Sequence, residues 1–188
     1  MYQSVKDLVR TAEIQQKALS ELVIEAECHE SGSNRKEVWQ RMRSNLLTMR
    51  AAIKQGENEL GVRSKTGLTG GEAIKLKKYR AKGKTLSGDV MMAAVENAIA
   101  TNEVNAAMGV ICATPTAGSS GTLPGALFML EQRLGLSEDQ MIRFLFTAGG
   151  LGLIIANHAG IAGATGGCQE EVGSASAMAA AAGVGAAG

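Results

Sequence analysis

One thiol stands in a setting suited to chemistry. Cys168 follows a run of glycine and small residues, Gly163-Ala-Thr-Gly-Gly, and precedes Gln169, two carboxylates and a string of tiny residues up to Met178. Glycines beside a cysteine let backbone N–H groups approach whatever the sulfur binds. A thiolate over such a backbone is what a metal–sulfide cluster or a reactive-cysteine site requires. Composition by itself fits equally a free cysteine packed in a Gly/Ala-rich core.

Two further loops carry short hydroxyls and free amides. The segment KTGLTGGEA, Lys65 to Ala73, holds a Thr-Gly-Gly turn near cations, and its N–H groups suit a carboxylate as well as an ordinary turn. The segment CATPTAGSSG, Cys112 to Gly121, reads as a loop because Pro115 forbids regular pairing and Gly118 and Gly121 permit left-handed turns. His158 has a pKa range suited to proton abstraction, but it follows an apolar helix directly, where a structural role competes. Glu170 and Glu171 fit charges opposing a helix dipole, with support of the Cys168 segment as the other reading. Lys65 is either solvated or a partner for a carboxylate.

The elements that must position these groups are helices. Ser4 to about Glu30 reads as one helix, ended by Gly32. Asn34 with Glu37 opens a second, on which Trp39, Met42, Leu46, Met49 and Ile53 form a coiled-coil-like stripe for core packing or subunit contact. Gly56 to Lys84 reads as a long connection, Ser87 to Met108 as a helix, and Pro124 to Leu134 as another. Ser137 with Gln140 caps the helix carrying Phe144, Phe146 and Leu151, and Glu170 to Gly188 reads as an Ala-rich helix. Alternating β-branched runs are missing, so the expected fold is all-α: residues 1–188 as a single helical domain around a buried Gly/Ala-rich central helix, with glycine-rich active-site loops.

Bulk composition narrows the partners. The net charge is +1, yet Met1 to Lys84 carries 17 Lys/Arg against 10 Asp/Glu, and Thr85 to Gly188 carries 2 against 8. Basic residues without interleaved aromatics offer no stacking platform, so nucleic acid is not an expected partner. From Phe144 to Cys168 there is no Asp, Glu, Lys or Arg, but the strongly apolar part, Phe144 to Ala156, is short for a membrane span, and a buried helix is expected. Three widely separated cysteines and no export signal fit a reducing cytoplasm. The small-residue pattern SAMAAAAGVGAAG runs uncapped to the last residue, from which we expect a fragment or a further segment packing there.

Together, KTGLTGGEA, CATPTAGSSGTLPG and GATGGCQEEVGSASAM resemble the α chain of the iron–sulfur-dependent bacterial L-serine dehydratases (L-serine deaminases), over nearly the whole length. The segment GGCQEEVGSASAM carries the most specific part of that resemblance. The resemblance implies a lyase of serine catabolism that removes water from L-serine to give pyruvate and ammonia. It implies a [4Fe–4S] cluster held by three cysteines with one iron open to substrate. Cys168 matches the first of those cysteines; the other two come later in the family pattern, and Cys28 and Cys112 match neither. The chain alone is then expected to hold no full cluster and to be inactive. The implied partners are L-serine, the family's β chain or β domain, and further copies in an oligomer. Thr69, Gly70, Gly71, Thr114, Thr116 and Ser119 are the groups expected around the substrate carboxylate and amine. Two other functions compete: a non-catalytic helical subunit-interaction module with a structural cysteine, and a thiol enzyme using Cys168 as nucleophile.

Overall fold

The computed structural model describes residues 2–188, and every regular element in them is a helix. In chain order these are α1 (Val5–Gln15), α2 (Leu19–Ser31), α3 (Arg35–Gly56), α4 (Glu72–Arg80), α5 (Gly88–Ala106), α6 (Thr122–Leu134), α7 (Glu138–His158), α8 (Gly163–Gly166) and α9 (Cys168–Ala187). The all-α expectation is met.

Several starts and stops follow local chemistry. Asn34 and Ser137 each accept a bond from the third helical N–H, and Glu37 and Gln140 each reach back to the cap backbone. Gly32 ends α2 in the left-handed region at φ 65°. Ser87 precedes α5 without a capping bond from its side chain.

Two expectations are corrected. The single helix over Ser4–Glu30 is broken: Gln16 adopts φ 49°, α1 stops and α2 starts at Leu19. The break folds α1 back so that Leu8 joins Leu22, Leu151 and Ile154 in one buried cluster. That burial outweighs the strain of a left-handed glutamine. The connection Gly56–Lys84 also contains α4, a helix with a basic last turn. Its lysines are a solvated face, and Ala73 is its buried anchor.

The centre of the molecule is α7, packed against α2, α3, α6 and α9. It buries Met141, Ile142, Phe144, Leu145, Phe146 and Ile154. Its glycines admit neighbours: a Cβ at Gly150 would lie 2.4 Å from Val23 Cγ2, and one at Gly152 would lie 2.7 Å from Met178 Cε. Over its full 21 residues α7 is long and apolar enough to cross a membrane, which the shorter apolar run did not suggest, but 61% of its apolar window is buried inside the protein. The stripe on α3 is core. Leu46, Met49 and Ile53 are buried, and the Trp39 ring stands 6.0 Å from that of Phe146.

Candidate functional site

Cys168 is the first residue of α9. Gly167, at φ 80°, turns the chain into that helix, and the thiol is exposed to solvent. Gly160, Gly163 and Gly166 before it have a packing reason. Glu170, in the first turn of α9, lays its carboxylate against Gly160 and Gly166, where a Cβ would come within 2.3 Å and 1.4 Å of it. Glu171 lies likewise against Gly118 and Gly163, at 2.8 Å and 2.7 Å. Glu171 therefore joins the Cys168 segment to the loop carrying Thr114, Thr116 and Ser119. Both acids also sit where the α9 dipole favours negative charge.

That loop is internally bonded. Ser119 Oγ donates to the Thr114 carbonyl at 3.0 Å, and the Thr116 and Ser119 hydroxyls lie 3.1 Å apart. Ser119 is buried, whereas Thr114 Oγ1 is buried with no partner. Thr114 and Pro115 also line a cavity of about 360 Å³ together with Met42, Asn45, Cys112 and Met178, in the size range of small-molecule pockets. Cys112 faces this cavity, its thiol donating to the Asn45 carbonyl at 3.4 Å and pushed up in pKa by burial.

Thr69, Gly70 and Gly71 precede α4. Thr69 is exposed, and Gly70 is buried against strand-like backbone at Arg63. Gly70, at φ 126°, has no room for a Cβ, which would lie 2.0 Å from the Val62 carbonyl oxygen. The N–H groups here already meet carboxylates of the protein. Gly70 N–H donates to Glu72 Oε2 at 2.9 Å, and Glu72 and Ala73 N–H donate to Glu103 Oε1 at 2.5 and 3.2 Å. Burial and the facing Glu72 carboxyl raise the Glu103 pKa, while the Glu72 pKa is lowered.

Sequence reasoning missed the C-terminal end of α5. Glu103 holds the start of α4, Asn102 Oδ1 accepts from Gly121 N–H at 3.1 Å, and Asn105 Nδ2 donates to the Ala117 carbonyl at 3.0 Å. The readable signal was the polar cluster Thr101-Asn102-Glu103 with Asn105 in an otherwise alanine-rich helix. His158 lies elsewhere: its Nε2 is hydrogen-bonded to the Gln3 carbonyl, tying the N-terminal segment to the end of α7. Lys65 is exposed.

Among the described residues no three His, Cys, Asp or Glu side chains converge to hold a metal ion. Cys28 and Cys112 pack against the main core, while Cys168 is exposed at the start of α9. The donors present thus fit one ligand of a metal–sulfide cluster and not a complete holder.

An all-helical body that carries an exposed thiol at a helix start, joined through Glu171 to one of two glycine- and hydroxyl-rich loops, defines the class of scaffold. A family model described as serine dehydratase alpha chain matches residues 14–188, and the chain belongs to that family. It is 52% identical over 97% of its length to the "Probable L-serine dehydratase, alpha chain" of Bacillus subtilis, covering 60% of that protein. It is 36% identical over 86% of its length to the "L-serine dehydratase, alpha chain" of Peptoniphilus asaccharolyticus, covering 55% of it. Identity to "L-serine dehydratase 1" of Escherichia coli is 35% over 77% of the chain and 31% of the relative. The chain thus spans about half the length of its curated alpha-chain relatives.

Proposed function

We propose that this chain is the α portion of an iron–sulfur-dependent L-serine dehydratase, acting in the cytoplasm with the family's β portion as partner. The observation that carries the reading is Cys168: an exposed thiol at the start of α9, packed through Glu171 against the loop of Thr114, Thr116 and Ser119, in a chain of the serine dehydratase alpha chain family.

The overall reaction removes a proton from Cα and hydroxide from Cβ of L-serine. The resulting 2-aminoacrylate tautomerises to an imine, and water converts that to pyruvate and ammonia. A [4Fe–4S] cluster, when bound, supplies Lewis-acid chemistry for the poor leaving group. In this reading Cys168 is one of its ligands, and the others come from protein outside residues 2–188.

The chain's own residues bind and orient a small zwitterion. Thr114 Oγ1 has a hydrogen-bonding capacity that no described residue uses. Thr116 and Ser119 hold the loop that presents it. Glu72 covers the Gly70 N–H with an exposed carboxylate, and a substrate carboxylate takes that N–H by displacing it. Thr69 and Gly71 flank that position.

The test is anaerobic assembly of the complete α and β protein with iron and sulfide. The expected result is a brown enzyme that forms pyruvate from L-serine, and a Cys168→Ser variant that stays helical but loses the cluster absorbance. A colourless wild-type protein, or a variant with the cluster intact, would count against the reading.

A further inference from the structure

The two loops assigned to substrate touch the same end of one helix. Asn102, Glu103 and Asn105 lie in the last five residues of α5; Asn102 and Asn105, three apart, share one face and Glu103 leaves on another. On one face Glu103 accepts the first N–H groups of α4, immediately after Gly70 and Gly71. On the other, Asn102 accepts the Gly121 N–H and Asn105 donates to the Ala117 carbonyl, bracketing Ser119. The backbones are equally close. A Cβ on Gly121 would stand 2.3 Å from the Ala98 carbonyl oxygen, so the loop lies directly on the α5 backbone.

These bonds differ in burial. Glu103 is buried, and one of its oxygens has no partner. Asn102 is exposed and Asn105 half-buried. Asparagine is a poor helix former and contributes little to helix stability by itself. Here Asn102 satisfies the Gly121 N–H, and Asn105 adds a second bond to the Ala117 carbonyl, which also accepts the Ser120 N–H at 3.2 Å. Their bonds also run in opposite directions, with Asn102 accepting and Asn105 donating.

We propose that Asn102, Glu103 and Asn105 form a clamp of positioning residues that sets the spacing between the Thr69–Gly71 and Thr114–Ser119 loops, and so the fit of the amino-acid substrate. The clamp rests on the serine dehydratase reading, since it assigns both loops to one ligand. The residues touch no substrate and act through the loop backbones they hold.

The test uses the assembled, cluster-loaded α and β enzyme with four single variants. Asn102→Ala and Asn105→Ala each remove one net hydrogen bond and should raise KM for L-serine about fivefold, with kcat within about twofold. Asn102→Asp keeps the acceptor and should retain the wild-type KM. Asn105→Asp loses the donor and sets a carboxylate against a carbonyl, so it should be at least as impaired as Asn105→Ala. Thermal midpoints of all four should stay within a few degrees of wild type, because Asn102 is exposed and Asn105 only half-buried. Unchanged KM in active variants, or an Asn102→Asp variant as impaired as Asn102→Ala, would overturn the clamp alone. Absence of serine turnover by the loaded wild-type enzyme would overturn the dehydratase reading and the clamp with it.

Discussion

The Glu103 carboxylate on α5 accepts the backbone N–H of Ala73 at 3.2 Å, capping α4 from a different helix. No side chain of α4's own N-cap, Gly71, can do this. Glu103 is therefore a cap delivered by tertiary structure, and the anion seat before α4 has an internal occupant.

Removing that cap separates its hydrogen bond from its charge. Glu103→Ala leaves the α4 N–H groups unpaired and should cost about 1–2 kcal/mol in urea unfolding. Glu103→Gln keeps the accepting oxygen and removes a buried charge. The folded-state pKa of Glu103 is raised, so its ionisation opposes folding as pH rises past the ordinary carboxylate range. At pH 7 the Gln variant should be at least as stable as wild type, and its advantage should vanish in acid. A Gln variant as damaged as the Ala variant would refute this account.

Glu21 gives the opposite pH sign. Arg35, with help from Arg143, holds its carboxyl at about 2 against an ordinary 4.5. The ion pairs link α2 to α3 and α7, with Arg143 at 3.2 Å. The stabilisation is complete above about pH 4.5 and is lost as pH falls toward 2. Because the Arg35 and Arg143 side chains are 48% and 41% exposed, solvent screening reduces it to about 1 kcal/mol. Glu21→Gln should flatten the acid limb of a stability-against-pH curve by that amount, with little effect of pH on the difference above pH 5.

The cysteines should differ in reactivity. Cys168 is exposed, whereas burial raises the Cys112 thiol pKa and its Sγ–H is engaged by Asn45. Iodoacetamide on the folded, cluster-free chain should label Cys168 at least about tenfold faster than Cys112. Peptide mass spectrometry over time reads this directly, and equal rates would contradict the burial of Cys112.

Glycines in one loop should respond unequally to a methyl group. At Gly121 the added Cβ meets the Ala98 backbone oxygen at 2.3 Å, and a rigid helix cannot yield. Gly121→Ala should cost about 3 kcal/mol. At Gly118 it meets only the end of the Glu171 side chain at 2.8 Å, which can swing away. Gly118→Ala should cost under about 1 kcal/mol, as judged by thermal unfolding of the two variants side by side.

Local chemistry by itself determined the helical class, the two capping boxes at Asn34 and Ser137, the end of α2 at Gly32 and the core stripe on α3. Each of those depends on residues within a turn or two of one another, so spacing alone exposes it. The three loops that mark the family were legible for the same reason, as short runs of fixed residue types. Only the tertiary structure decided the break at Gln16, the existence of α4 and the placement of Cys168 as the first residue of α9. Gln16 carries no breaker signal, and its turn exists because Leu8 and Leu22 must both reach α7. The start of α4 is capped from 31 residues away by Glu103, a partner that no local pattern can name. Likewise, only the tertiary structure shows that Gly163 and Gly166 before Cys168 make room for the carboxylates of Glu171 and Glu170. Which atom fills a space is settled by the packing of distant segments, and a linear pattern carries no record of that distance.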